Sequence, residues 1–157
     1  MVGWYEGFGG LAMRLEFLFD AAMHYTDLAF LESPFGGAEG MAFGTGVGTF
    51  SGGRLQGEAR WSNFPRRRED GVFLPNVCGV LTTDDDAEVL FHFTGYSLAS
   101  EEVRRITSPV TFSAASDRYR WLNSIVAMSE GLLGIEDGVS TIRLRCYACI
   151  NEMVEPA

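Results

Sequence analysis

The feature that most constrains this chain is the alternation of apolar and polar residues in short runs along nearly its whole length. Leu15, Phe17 and Phe19, for example, would face one side of an extended segment, and Glu16 and Leu18 the other. Because successive side chains of a strand point to opposite faces, alternation with a period of two predicts strands. The predicted strands lie at residues 13–25, 41–50, 54–61, 72–82, 88–96, 104–114, 124–133 and 139–152.

Turn-forming residues separate these eight runs, as in Ser51-Gly52-Gly53 and Asp84-Asp85-Asp86. Short connections favour an antiparallel meander, and eight such strands close into a barrel with room for packed side chains or one small ligand. We therefore predict an all-β, antiparallel, about eight-stranded closed barrel with at most short helical turns, such as residues 116–123. Residues 1–12 are predicted to be a loose leader, and residues 13–157 a single β-barrel domain.

Three glycines share one face of the second predicted strand, at positions 44, 46 and 48. Glycine in a strand interior marks a bend, a tight barrel interior or the close approach of another group. The sequence leaves these three explanations open.

The charge of the chain restricts its partners. The formal net charge is −9, and all 12 basic residues are arginine. Binding to nucleic acid needs a surplus of positive charge on one face, so we expect neither a nucleic-acid partner nor docking on an anionic membrane. Without lysine, catalysis through a lysine Schiff base is excluded. The partner expected is a small hydrophobic molecule, and assembly into a homo-oligomer is left open.

Three cysteines, Cys78, Cys146 and Cys149, make an odd count, and no secretory signal is visible. This pattern predicts free thiols and a cytoplasmic location. Cys146 and Cys149 lie three residues apart on a predicted strand and should point to opposite faces. With no second cysteine pair, two separated histidines and no nucleotide-binding loop, we predict no metal site and no cofactor.

Several motifs occur in one order: G-T-F-S-G-G-R-L-Q-G-E-A-R-W-S-N at residues 48–63, D-G at 70–71, L-T-T-D-D at 81–85 and R-Y-R-W-L-N at 118–123. Together they resemble domain-of-unknown-function family 3237. The resemblance implies a calycin-like or allene-oxide-cyclase-like barrel, a fold whose members bind hydrophobic molecules and in some cases cyclise or isomerise them. Asp86 replaces the glycine that follows the two aspartates in the family pattern.

Two groups of candidate ligand-binding residues come from these motifs. Arg60, Trp61 and Asn63 stand where a strand reaches the barrel rim, so Trp61 could stack on a ligand and Asn63 could hydrogen-bond it. Equally, Trp61 could plug the barrel end and Asn63 could cap a turn. A second candidate group lies in the R-Y-R-W-L-N segment, where a structural role in sealing the barrel is the alternative; its members are Tyr119, Trp121 and Asn123.

His92 is the first candidate for proton transfer, because histidine titrates near neutral pH without any perturbation. Thr94 and Tyr96 share its strand face and are predicted to bind ligand with it, whereas Phe91 and Phe93 occupy the opposite face. Which of the two faces lines the interior stays open. Glu58 and Glu130 are further catalytic candidates, since a carboxylate forced inward would have a raised pKa.

Three functions remain for such a barrel. The leading hypothesis is a cofactor-independent cyclase, isomerase or dehydratase that acts on a polyketide- or terpenoid-like molecule. The alternatives are a non-catalytic carrier with the same cavity and a structural domain with a filled interior. Titratable groups in the cavity would favour the enzyme, a dry apolar cavity the carrier, and no cavity the structural domain.

Overall fold

The computed structural model describes residues 13–153 of the chain, and the predicted leader, residues 1–12, lies outside them. The described residues form eleven antiparallel strands and one short 3-10 turn at Arg120–Ser124. The strands are β1 (Arg14–Glu32), β2 (Gly40–Ser51), β3 (Gly57–Asn63), β4 (Arg66–Arg67), β5 (Phe73–Leu74), β6 (Val77–Thr83), β7 (Glu88–Phe93), β8 (Tyr96–Ser100), β9 (Val103–Ala114), β10 (Ala127–Glu136) and β11 (Val139–Ile150).

Eight of these strands close into a barrel, in the order β1-β11-β10-β9-β7-β6-β3-β2, and β2 pairs again with β1. This confirms the predicted closed, antiparallel, eight-stranded barrel. The three short strands β4, β5 and β8 bridge β2 to β9 where β3, β6 and β7 have ended. They extend the barrel at one end, which we call the upper end.

The opposite, lower end of the barrel is filled by aromatic side chains that point inward. Phe19 stacks on Phe50 at 4.4 Å between ring centroids, and Phe50 lies 5.1 Å from Phe91. Leu122, in the 3-10 turn, is fully buried and belongs to the same hydrophobic core as these rings. Burying a side chain of this size contributes roughly 1.5–3 kcal/mol relative to leaving it exposed. Among residues 13–153, the lower half of the barrel is therefore filled by a packed, largely aromatic core.

Several strand boundaries differ from the prediction. The first strand continues to Glu32, and β-bulges interrupt its pairing between Phe17 and Phe19 and between Tyr25 and Asp27. A bulge inserts one residue and shifts the in-out alternation beyond it. Leu15 and Phe17 are consequently exposed while Leu18 and Phe19 are both buried, so the prediction that Leu15, Phe17 and Phe19 share one face was wrong.

Two other predicted strands are divided in the structure. The segment predicted at residues 72–82 is split into β5 and β6 around Pro75, which has no N–H to donate to a ladder. The segment predicted at residues 88–96 ends at Phe93 because Gly95 has a φ of +98°, a turn conformation that favours glycine. Both breaks occur where the upper extension of the barrel begins.

The strand parity predicted for the cysteines is confirmed. Cys146 is buried inside the barrel, whereas Cys149, three residues further along β11, is partly exposed, and all three cysteines are free. Burial raises the pKa of the Cys146 thiol to about 12, so this side chain stays protonated and packs as a small apolar group.

Candidate functional site

A cavity occupies the upper half of the barrel, above Met23 and Phe93, and has a volume of about 210 Å³. Its wall is mainly apolar and comes from strands on every side of the barrel and from the loops between them. The apolar lining residues are Met23, Leu28, Phe30, Ala42, Pro65, Phe73, Pro75, Val77, Phe93, Ile106, Leu133, Ile142 and Leu144. The polar lining residues are Tyr25, Asn63, Ser97, Arg104, Ser108 and Ser140.

Tyr25 and Asn63 form the central polar pair of this cavity. The Asn63 side chain donates a hydrogen bond from Nδ2 to the Tyr25 hydroxyl oxygen at 2.8 Å, and its Oδ1 accepts one from the backbone N–H of Asn76 at 2.9 Å. Burial raises the pKa of Tyr25 above its ordinary value, so the hydroxyl is protonated at neutral pH. Its own proton has no acceptor among residues 13–153 and can be donated to a ligand.

Glycines in β2 create the space that this pair needs. A Cβ atom on Gly44 would overlap the Tyr25 ring, and one on Gly46 would overlap both the Trp61 ring and the His24 carbonyl oxygen. The Trp61 ring in turn packs edge-on against Tyr25, with 4.7 Å between centroids, and donates from Nε1 to the Val47 carbonyl at 3.2 Å. Of the three explanations for these glycines, close approach of another group accounts for Gly44 and Gly46.

Arg104 supplies the positive charge of the cavity wall. Its guanidinium donates from Nε to the Ser97 hydroxyl at 3.0 Å, and from Nη2 to the carbonyl oxygens of Ser97 at 2.7 Å and Gly71 at 3.0 Å. It also lies over the Phe73 ring, 4.6 Å from the centroid. Burial, and secondly the neighbouring charge of Arg67, lower the pKa of Arg104, although an arginine still keeps its proton at neutral pH.

Of the candidates at the strand end, only one lines the cavity. Asn63 is buried and contacts it directly, whereas Trp61 is buried behind Tyr25 and supports that ring. Arg60 points outward on β3, where its guanidinium lies 3.7 Å from the carboxylate of Glu88. The structure therefore places Arg60 outside the cavity, because the alternation of β3 that turns Trp61 inward turns Arg60 outward, and its ligand contact at the barrel rim stays a prediction.

The structure settles which face of β7 lines the interior. Val89, Phe91 and Phe93 are buried, and His92 is exposed on the outside, where its Nε2 lies 2.9 Å from Oδ1 of Asn76. A proton-transfer role for His92 within the barrel is thus corrected: the phenylalanines fill the interior face and exclude the imidazole from it.

Thr94 and Tyr96 also fail to reach the cavity. Thr94 is partly buried between β7 and β8, where its N–H donates to the Pro109 carbonyl at 3.3 Å. Tyr96 is 52% exposed, while its neighbour Ser97 points inward. The turn at Gly95 starts a new strand, so the alternation of β7 does not continue into β8.

Glu58 and Glu130 are exposed on the outer surface of β3 and β10. Glu130 lines an open external groove that also contains Arg143 and Arg145. Neither carboxylate contacts the cavity, so the prediction that Glu58 or Glu130 points into the barrel as an acid or base was wrong.

The R-Y-R-W-L-N segment closes the lower end, at the other end of the barrel from the cavity. Tyr119 donates its hydroxyl to Asp85 Oδ1 at 2.7 Å, and Asn123 forms two hydrogen bonds with the backbone of Ala114. The Trp121 ring lies under the Arg54 guanidinium, 3.7 Å from its carbon. The structure therefore places Tyr119, Trp121 and Asn123 away from the cavity, in contacts that fit the structural alternative, and their ligand-binding role stays a prediction.

Comparison with known proteins agrees with the geometry at the level of the fold. A β-barrel-like protein from Acinetobacter baumannii AYE superposes with a TM-score of 0.74 at 20% identity, over 90% of this chain and 98% of that one. An enzyme from Penicillium herquei gives 0.64 at 21% identity, over 87% and 96%. A conserved protein of unknown function from Rhodopseudomonas palustris gives 0.72 at 12% identity, over 89% and 99%.

These structures share the barrel fold with this chain. No family model matches the sequence, and no curated protein matches it. The resemblance to domain-of-unknown-function family 3237 accordingly stays a prediction. The expectations that the protein uses no cofactor and binds neither nucleic acid nor a membrane also stay predictions, and assembly into a homo-oligomer stays open.

Residues 13–153 contain no cluster of three or more histidine, cysteine or carboxylate side chains that could hold a metal ion. No helix within the same range has the length and apolar character needed to cross a membrane.

Sequence reasoning missed Tyr25 and Arg104, the two cavity residues with the most distinctive chemistry. For Arg104 a signal was present, since it shares the alternating face of Ile106, Ser108 and Val110 in the predicted strand. Tyr25 was placed at the end of the first strand, and the loop expected after it concealed the wall that β1 continues to build.

Proposed function

We propose that this protein binds a small hydrophobic molecule in the upper cavity of its barrel. The observation that carries the proposal is the cavity itself, in which thirteen apolar residues surround a few convergent polar groups. Concave, largely apolar sites with a small number of placed polar groups are typical of small-molecule binding. The proposal includes membership of domain-of-unknown-function family 3237. It also includes a cytoplasmic location, and the free cysteines support that location.

A second candidate function is a cofactor-independent cyclisation, isomerisation or dehydration of the bound molecule, of polyketide- or terpenoid-like type. Tyr25 favours it, because a neutral hydroxyl that is held by Asn63 can donate its proton to a ligand oxygen on which negative charge develops. The apolar surroundings exclude water and strengthen such a hydrogen bond. The similarity to an enzyme from Penicillium herquei adds support.

The binding proposal is tested by filling the cavity. Leu133 lines it from β10, and Leu132, the preceding residue, is 49% exposed on the outer face. We expect Leu133→Trp to reduce by about tenfold or more the affinity for N-phenyl-1-naphthylamine, a neutral dye that fluoresces in apolar sites, because the indole takes up its space.

The matched control is Leu132→Trp, which adds the same ring outside the barrel and should leave the affinity unchanged. Dye titration by fluorescence, with a thermal melt of each variant, provides the measurement. Equal dye affinity in the wild type and both variants would refute binding in the cavity.

A further inference from the structure

Arg104 differs from the other arginines in where its charge lies. Within residues 13–153, eight of the twelve arginines lie within 4.0 Å of a carboxylate oxygen. Among the other four, only Arg104 lines the cavity. Its position follows from β9, whose alternation turns Arg104 inward with Ile106 and Arg105 outward.

Every group that holds Arg104 is electrically neutral. Its hydrogen bonds end on the Ser97 hydroxyl and on two backbone carbonyls, and its flat face covers Phe73. These contacts fix the orientation of the guanidinium but do not neutralise it. Among residues 13–153 the remaining terminal nitrogen, Nη1, has no hydrogen-bond partner, and no carboxylate lies within ion-pair distance.

The partly buried, unpaired charge of Arg104 is energetically unfavourable. Removing a charge from water is costly unless an opposite charge compensates for it, and burial together with the nearby Arg67 already disfavours the charged form of Arg104. Arg67 does not offset the cost of the Arg104 charge, because Arg67 is positively charged as well. The carboxylate of Glu32 lies 4.0 Å from Arg67 and pairs with that residue. An anion that entered the cavity would find one preoriented, uncompensated guanidinium beside an apolar wall.

We propose that the ligand of the upper cavity is a hydrophobic monoanion, whose anionic oxygen pairs with Arg104 while its apolar body contacts the cavity wall. This inference rests on the proposed binding function and names its ligand class. One unpaired guanidinium suits a single negative charge. Carboxylates and ionised phenols on an apolar skeleton supply that charge, and a charge-assisted hydrogen bond of this kind is about twice as strong as a neutral one.

The test compares 2-naphthoate with 2-naphthamide, which share a ring system and differ in charge. By titration calorimetry at pH 7, the wild-type protein should bind 2-naphthoate about tenfold or more tightly than the amide. Arg104→Gln should abolish this preference with little effect on the amide. Arg105→Gln is the matched control: it removes the same charge from the adjacent, outward position and should preserve the preference.

Arg104→Lys separates charge from structure, because it keeps the positive charge but cannot form the same set of hydrogen bonds. It should retain part of the preference for 2-naphthoate, with thermal melts of all variants reported alongside. Equal wild-type affinity for the two compounds would overturn the inference and leave cavity binding intact. Equal loss of the preference in the Lys and Gln variants would also overturn it. Failure of both compounds to bind would reject the proposed function and the inference together.

Discussion

At the scale of single residues, the cavity depends on the hydrogen bonding of Tyr25. The hydroxyl accepts from Asn63 Nδ2, and the amide is fixed in turn because its Oδ1 accepts the backbone N–H of Asn76. Asn63 is 6% exposed, so its Nδ2 group has little access to water. The tyrosine proton is therefore directed by a side chain that cannot easily reorient, which is the arrangement that recognition of a ligand oxygen requires.

We predict that Tyr25→Phe removes the ability of the cavity to recognise a carbonyl oxygen. Wild-type protein should bind 2-acetylnaphthalene more tightly than 2-ethylnaphthalene by about 1 kcal/mol, the usual contribution of a neutral hydrogen bond, and the variant should bind both equally. Calorimetric titration measures both affinities. Tyr96→Phe, which removes an exposed hydroxyl outside the barrel, is the control. A carbonyl preference that persists in Tyr25→Phe would show that another group donates the hydrogen bond.

At the scale of elements, β2 is adapted to the two rings that face it. Gly46 lies opposite Trp61 in the β2–β3 ladder, and Gly44 lies beside Tyr25. A larger residue at either of these two positions would displace the rings, and with them the hydroxyl that Asn63 holds. The two glycines thus weaken β2 locally but leave the space that the Tyr25 and Trp61 rings occupy.

Gly46→Ala should destabilise the protein strongly. Its Cβ would overlap the Trp61 ring and the His24 carbonyl, and overpacking of this kind costs typically about 1–3 kcal/mol in unfolding free energy. Urea unfolding followed by tryptophan fluorescence measures the change. Gly53→Ala is the control, because a Cβ there has no heavy atom within 4 Å. Similar stability of the two variants would mean that the Gly46 position has space that the structure does not show.

The strand pattern predicted the barrel because alternation survives in most of the chain, but it could not locate the interruptions. The bulge after Tyr25 and the turn at Gly95 change which residues face inward, and both depend on pairing with distant strands. Asn63 was predicted as a ligand contact from its position at the barrel rim, and the unbroken alternation of β3 from Gly57 turns it inward there. Tyr96 was misplaced because Gly95 breaks the alternation, and His92 because periodicity alone does not say which face is inside.

At the scale of the whole molecule, the two ends of the barrel differ in structure. The upper end holds the cavity with Tyr25 and Arg104, and the lower end is sealed by a network around the β6–β7 turn. In that network the Asp85 carboxylate accepts hydrogen bonds from the hydroxyls of Thr83 and Tyr119, each at 2.7 Å, and pairs with Arg118 at 2.9 Å. Changes at the lower end should therefore alter global stability without altering ligand binding.

Asp85 makes this separation testable through pH. Hydrogen bonds from Thr83 and then Tyr119, together with the Arg118 charge, lower the pKa of Asp85 from 3.8 to about 2. Its stabilising effect is complete above the unfolded-state pKa, about 3.9, and is lost as the pH falls toward 2. Asp85→Asn should unfold at lower urea concentration than wild type at pH 7, and the difference should narrow below about pH 4.

Asp86→Asn, in the same turn, is the control. It removes an equal charge from a side chain with no hydrogen-bond partner among residues 13–153, and should unfold like wild type. Both variants should bind N-phenyl-1-naphthylamine with wild-type affinity at pH 7, because the aromatic core around Phe19 and Phe50 separates this turn from the cavity. A weakened dye affinity in Asp85→Asn alone would show that the two ends are coupled through that core.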